Sequence, residues 1–260
     1  METNNKIASD IVAWIKRYAE KAGLETLVVG VSGGVDSALV STLCGLTGLD
    51  TIVLNLPINS KPENTELSSL QCMWLMEKFP NVCAELMDMT YAYDAFENTL
   101  NLHSFSDSLA SANSKSRMRM MALYYVAASH KGLVVGTGNK VEDFGVGFFT
   151  KYGDGGVDIS PIADLTKTQV RELAGDLGIA TQILEAPPTD GLWEDSRTDE
   201  EQIGASYEEL EWAMNYMSLG WVRPLTRRQQ QVLEIYMSFH LRNKHKMRSI
   251  PVFKLSQRNN

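Results

Sequence analysis

The chain has 260 residues, 44% of them hydrophobic, enough to bury a substantial core as one large domain or as a domain with a helical appendage. Its net charge of −8, from 24 Lys plus Arg against 32 Asp plus Glu, argues against broad electrostatic binding to nucleic acid or to an anionic membrane and leaves room for a local basic pocket. Cys44, Cys72 and Cys83 stand singly without a CxxC pair, as reduced thiols of a cytoplasmic protein do, and no run approaches the ~20 apolar residues of a membrane span. The opening residues lack the pattern of a targeting leader, so a soluble, cytoplasmic chain is expected.

Ile7, Ile11, Trp14, Ile15 and Tyr18 recur at three- and four-residue spacing and predict an amphipathic helix closed by Gly23. "TLVVGV" from Thr26 predicts a strand, followed by the helical-looking "ALVSTLCGL". "TIVLNL" from Thr51, "VCAELM" from Val82 and "GLVVGT" from Gly132 are further short apolar runs suited to a sheet covered on both faces. Between them "PENTELSSLQCMWLMEKF" from Pro62 and "SRMRMMALYYVAASHK" from Ser116 read as helices. This alternation predicts an α/β fold with a parallel, doubly wound sheet. Thr166 with Gln169, Thr198 with Glu201 and Ser206 with Glu209 fit capping boxes. The expected organisation is one domain over 1–260, with an α/β core to about residue 180 and a mostly helical C-terminal part, boundaries being good to ~2–4 residues.

The turn after the first strand reads Gly30, Val31, Ser32, Gly33, Gly34, Val35, Asp36, Ser37. A glycine-rich turn feeding a helix presents backbone N–H groups and the positive end of the helix dipole to an anion, most often phosphate. Neither GxxxxGK[ST] nor GxGxxG is present, but the serines offer hydroxyls and Asp36 a carboxylate suited to magnesium. A plain strand-to-helix turn is the alternative. Elsewhere Gly145 to Gly156 could be a flexible surface loop, and "LRNKHKMR" a solvated helix end.

"SGGVDS" resembles the SGGxDS signature of the N-type ATP pyrophosphatases, whose loop holds the pyrophosphate released when ATP adenylates a substrate. "GTGNKVEDFGVGFFTKYGDGGVDISPIADLTKTQ", from Gly136 to Gln169, is similar to the most distinctive segment of the ammonia-dependent NAD synthetases. "NSKSRMRM" at Asn113 to Met120, "PPTDGLWEDSRTDEEQIGASYEEL" at Pro187 to Leu210 and "HKMRSIP" near the C-terminus join it in the family's order. The resemblance implies a Rossmann-like, adenine nucleotide alpha hydrolase-like fold and a ligase that amidates the nicotinate carboxylate of deamido-NAD, with ATP as co-substrate and free ammonia as nitrogen donor. It implies that Gly30 to Ser37, Thr137, Lys167 and Thr189 contact ATP and that Asp36 and Glu142 hold Mg2+. Asp36 and Lys167 are then catalytic, and Arg117, Lys151, Asp158, His245 and Lys246 hold deamido-NAD. It further implies a homodimer joined through the helix from Ser116, and the glycines of Gly145–Gly156, which leave the backbone unrestrained, predict a lid that orders once Lys151 meets an anionic ligand. Two departures stand out: Asn55 occupies a position where many bacterial members carry a phosphate-contacting Arg, and Gly138, Asn139 and Lys140 replace the common Asp-His, closer to an archaeal-type pattern. The rival readings are another adenylating member, tRNA-modifying or GMP synthetase-like, and a non-catalytic nucleotide-binding regulator. Asp36, Glu142 and Lys167 together weigh against the regulator, since a sensor needs affinity but no assisted leaving group.

Overall fold

The computed structural model describes residues 2–103, 105, 107–189, 191–193, 197–220 and 224–255. Its elements run α1 (Glu2–Ala22), β1 (Thr26–Gly30), α2 (Val35–Leu46), β2 (Asp50–Asn55), α3 (Pro62–Lys78), β3 (Val82–Leu86), α4 (Thr90–Asn101), α5 (Ser108–Ser129) and β4 (Gly132–Val134). A π-helical turn at Val141–Val146 precedes α6 (Lys167–Asp176), α7 (Thr181–Leu184), α8 (Asp199–Ile203), α9 (Tyr207–Leu219) and α10 (Arg227–Asn243).

All four strands are parallel, in the order β3-β2-β1-β4, with Thr26 opposite Asp50 on one side and Gly132 on the other. Successive β1 side chains face opposite ways, and both faces are covered. Leu27 and Val29 enter a core with Ile15, Leu39, Leu43, Leu75 and Ile183, whereas Val28 packs with Leu54, Leu123 and Val134 beneath α5. β3 departs from the expected two-sided burial because it is an edge strand: Val82 is buried, while Cys83, Glu85 and Leu86 are exposed.

α5 begins eight residues before Ser116, at Ser108, where Asp107 Oδ1 accepts the Ala110 N–H at 2.7 Å as N-cap. The three expected capping boxes all form, and Thr226 with Gln229 adds another. Val141 and Val146 of the π-helical turn join Ile203, Tyr207, Leu210, Val232 and Tyr236 in a separate apolar cluster, so the C-terminal helices grip the core through that turn. No helix among the described residues is long and apolar enough to cross a membrane.

β1 lies between β2 and β4, so the direction of winding reverses at β1 and the segments after β1 and β4 leave side by side at the C-terminal ends of the strands. Open α/β sheets bind ligands at such a point.

Candidate active site

The turn after β1 is shaped by its own hydroxyls. Ser37 Oγ accepts the Ser32 N–H at 3.1 Å and donates to the Gly34 carbonyl at 2.9 Å, and Ser32 Oγ accepts the Gly34 N–H at 3.3 Å. Gly33 sits at φ 88°, a conformation that an L side chain resists. Gly34 is the N-cap of α2 and supplies no side-chain cap, so the helix start keeps backbone donors for an external anion.

Beside this turn three charged side chains converge from distant segments. Asp36 comes from the first turn of α2, Glu142 from the π-helical turn, and Lys167 from the start of α6. Lys167 is 3% exposed; its Nζ bonds Asp36 Oδ2 and lies 3.1 Å from Glu142 Oε1. The fully buried Asn139 frames the group: Nδ2 donates to Asp36 Oδ1 at 3.1 Å, and Oδ1 accepts the N–H groups of Val141 at 3.1 Å and Glu142 at 3.2 Å. Tyr207, also buried, donates its hydroxyl to Glu142 Oε1 at 2.5 Å and places its ring centroid 4.7 Å from Lys167 Nζ.

Burial, and after it the Asp36 charge, raises the Glu142 carboxyl above its ordinary range against the pull of Lys167. Burial works to lower the Lys167 ammonium, but the Asp36 and Glu142 charges together outweigh it, and the net shift is upward. Burial, then the neighbouring Glu142, Asp154 and Asp36, pushes Asp143 up to about 8. The site is therefore a concentration of carboxylates, two of which, Asp36 and Glu142, share one ammonium.

Oxygen donors of this kind suit a hard divalent cation, and the Lys167 ammonium between Asp36 and Glu142 stands in for such a charge. Among the described residues no group of three or more His, Cys, Asp or Glu side chains could hold a metal alone. Two carboxylates completed by phosphate oxygens and water fit the habit of Mg2+.

The remaining expected residues fall in other places. Thr137 lies two residues before Asn139, in the segment leaving β4. Arg117 lines a cavity of about 410 Å³ with Met120, Met121, Tyr124, Tyr152 and Gly156, and its Nε donates to the Lys151 carbonyl at 3.2 Å. Lys151 Nζ lies 5.3 Å from the Tyr152 ring. Asp158 borders the same region, its oxygens accepting the Tyr124 hydroxyl at 3.0 Å and the Val134 N–H at 2.8 Å. Lys246 Nζ donates to the Phe149 carbonyl at 2.6 Å, and His245 Nδ1 lies 3.1 Å from the Arg242 carbonyl. Thr189 is exposed and bonded within its own loop, accepting the Gly191 N–H at 3.2 Å. In the segment expected from Pro187 to Leu210, residues 190 and 194–196 lie outside the described residues.

The glycine-rich loop is more firmly tied than its composition suggests. Asp154 Oδ1 accepts the Ser116 hydroxyl at 2.7 Å and the Thr150 N–H at 3.0 Å, and Thr150 donates to Asn113 at 2.6 Å. A Cβ on Gly153 would lie 2.2 Å from Ser116 Oγ, so glycine there serves a close approach to α5. Asn55 turns toward α3, bonding the Thr65 carbonyl at 3.4 Å and Ser69 at 3.3 Å, while Arg119 Nε donates to the adjacent Leu56 carbonyl at 2.9 Å. Sequence reasoning missed Tyr207, because an aromatic just inside a capped helix looks like ordinary core.

The family model described as NAD synthase matches residues 7–250. The NH(3)-dependent NAD(+) synthetase of Finegoldia magna is 38% identical over 207 residues, covering 79% of this chain and 82% of that protein. The solved structure of NMN synthetase from Francisella tularensis has a TM-score of 0.85 at 30% identity, covering 97% of this chain and 99% of its own. The NH3-dependent NAD synthetase from Campylobacter jejuni shares the fold at a TM-score of 0.78 and 23% identity, with coverage of 96% and 99%.

Proposed function

The chain belongs to the NAD synthase family, and from that premise we propose that it is an ammonia-dependent ligase that forms NAD from deamido-NAD, with ATP converted to AMP and pyrophosphate. The observation that carries this reading is the convergence of Asp36, Glu142 and Lys167 on the uncapped start of α2.

A carboxylate is a poor electrophile with a poor leaving group, and ATP solves both problems. The nicotinate carboxylate attacks the α-phosphorus, the bond to pyrophosphate breaks, and ammonia then displaces AMP from the mixed anhydride and loses a proton. The chain's own part is positioning and charge neutralisation. The backbone N–H groups of Gly33 and of Val35 to Ser37 hold phosphate oxygens at the helix start, those of Ser32 and Gly34 bracing the turn through the serine hydroxyls, with Gly30, Val31 and Thr137 shaping the approach and Thr189 completing the nucleotide site. Lys167 meets the charge that grows on departing pyrophosphate. Asp36 and Glu142 would hold Mg2+, which when bound neutralises triphosphate charge and favours the leaving group. Arg117, which lines the cavity beside Tyr152, makes up the dinucleotide side with Lys151, Asp158, His245 and Lys246.

Two further assignments belong to this reading. Met121 and Tyr125, one turn apart on α5, are 63% and 76% exposed and form an apolar patch suited to a two-fold contact between copies, testable by light scattering. We assign the enzyme to the cytoplasm with its small-molecule substrates, and the net charge of −8 speaks against a nucleic-acid partner.

The likeness to the Francisella tularensis structure favours a second reading, in which the same chemistry amidates nicotinate mononucleotide to NMN. One experiment separates them. The purified chain is given ATP, Mg2+ and ammonium with either deamido-NAD or nicotinate mononucleotide, and the amide and AMP are quantified. The first reading expects higher kcat/KM with deamido-NAD, the second with the mononucleotide, and no AMP with either would refute both.

A further inference from the structure

Tyr207 is the first residue of α9, and its side chain is fully buried. A buried phenol must find a partner for its O–H. Its oxygen lies 2.5 Å from Glu142 Oε1 and 3.3 Å from Asp199 Oδ2; the hydroxyl has one proton, and the shorter contact makes Glu142 the acceptor. Lys167 also donates to Oε1, at 3.1 Å. Both hydrogen bonds fall on one oxygen, so Oε2 is the one open to another ligand.

The phenol is itself fixed. The Tyr207 N–H donates to Glu200 Oε1 at 2.9 Å, and the ring packs with Val141 and Val146, which flank Glu142 in the π-helical turn. Ring, turn and hydroxyl are therefore positioned by the same apolar cluster. We propose that Tyr207 is a positioning residue for nucleotide activation: its hydroxyl holds Glu142 Oε1 so that Oε2 faces the divalent cation accompanying ATP, while its ring supports Lys167. This rests on the reading of Asp36 and Glu142 as the metal pair.

The test is a Mn2+ titration of the full chain with α,β-methylene-ATP, followed by electron paramagnetic resonance, in the unaltered chain, Tyr207→Phe, Glu142→Ala and the double variant. Tyr207→Phe keeps the ring and its packing and removes only the hydroxyl. Its Mn2+ affinity is expected to fall about 10-fold, the usual consequence of losing a group that orients a metal ligand. The double variant is expected to bind no more weakly than Glu142→Ala, because the hydroxyl acts through that carboxylate. Unchanged affinity in Tyr207→Phe beside a clear loss in Glu142→Ala overturns the proposal and leaves the metal pair standing. The same loss on removing the hydroxyl in both backgrounds also overturns it, as a general effect of the fold. Unchanged affinity in Glu142→Ala removes the metal pair, and this proposal with it.

Discussion

Replacing Lys167 with Met should destabilise the ligand-free protein through charge rather than shape, and to an extent that depends on pH. The side chain is 3% exposed and its volume is nearly kept, so packing changes little. Opposite charges 3.1 Å apart, the Lys167–Glu142 separation, attract by roughly 5 kcal/mol at an effective dielectric constant of about 20. Asp36 lies against the same ammonium. Relief from burying the ammonium offsets part of this gain, and breaking such a buried group by removing one partner costs about 3–5 kcal/mol net. At roughly 2–4 °C per kcal/mol for a chain of this size, Tm should fall by about 10 °C near pH 8. The folded-state pKa of Glu142 is already raised by burial, and without Lys167 it rises further. A group raised in this way contributes stability that is complete below its unfolded value and lost as pH climbs through its folded value. The penalty should therefore shrink toward pH 5. Scanning calorimetry of both proteins at pH 5 and pH 8 decides the matter: an equal Tm drop at the two pH values, or none at either, would refute the charge argument.

Asp36→Asn and Glu142→Gln should each slow ATP-dependent pyrophosphate release by at least ~100-fold, about 2.7 kcal/mol of lost charge stabilisation, with near-normal circular dichroism; a rate within a few-fold of the unaltered chain removes that residue from the metal pair. Asp143, pushed up to about 8, favours the folded state at low pH and loses that contribution as pH rises toward 8, so Asp143→Asn should gain thermal stability relative to the parent at pH 9 and little at pH 5. Gly153→Ala, whose new methyl collides with Ser116, should raise KM for the acid substrate several-fold while ATP binding stays near normal in calorimetric titration. Equal losses for both substrates would show a general collapse instead.

The sheet was legible because each strand is a short apolar run with a turn signal after it, and the capped helices announce themselves through Ser or Thr three residues before Glu or Gln. α5 was cut short because "SLASANSK" has no apolar stripe; Asp107 and the contacts of Asn113 and Ser116 with the glycine loop explain those residues, and such contacts leave no periodicity. The π-helical turn was hidden inside a stretch that reads as a loop, since its register follows from Asn139 capping Val141 and Glu142. The family resemblance already grouped Asp36, Glu142 and Lys167, and the fold shows the contacts by which segments far apart in the chain bring them together. Tyr207 escaped because its contact with Glu142 spans 65 positions and depends wholly on how α9 docks.

That docking gives the charge cluster a second significance. Asp36 and Lys167 start helices that pack in the core beneath the sheet, whereas Tyr207, with Val141 and Val146 on either side of Glu142, belongs to the cluster of α8, α9 and α10. The three charges thus straddle a seam, and their geometry reports whether its two sides are joined. A molecule whose C-terminal helices have come away would keep its parallel strands and the turn after β1, yet would lose the phenol that braces Glu142. Such a species would retain much of its sheet signal in the far ultraviolet while failing to turn over. Inactivation by heat or denaturant would then run ahead of unfolding of the sheet, and a nucleotide engaging both sides would act as a rivet across them.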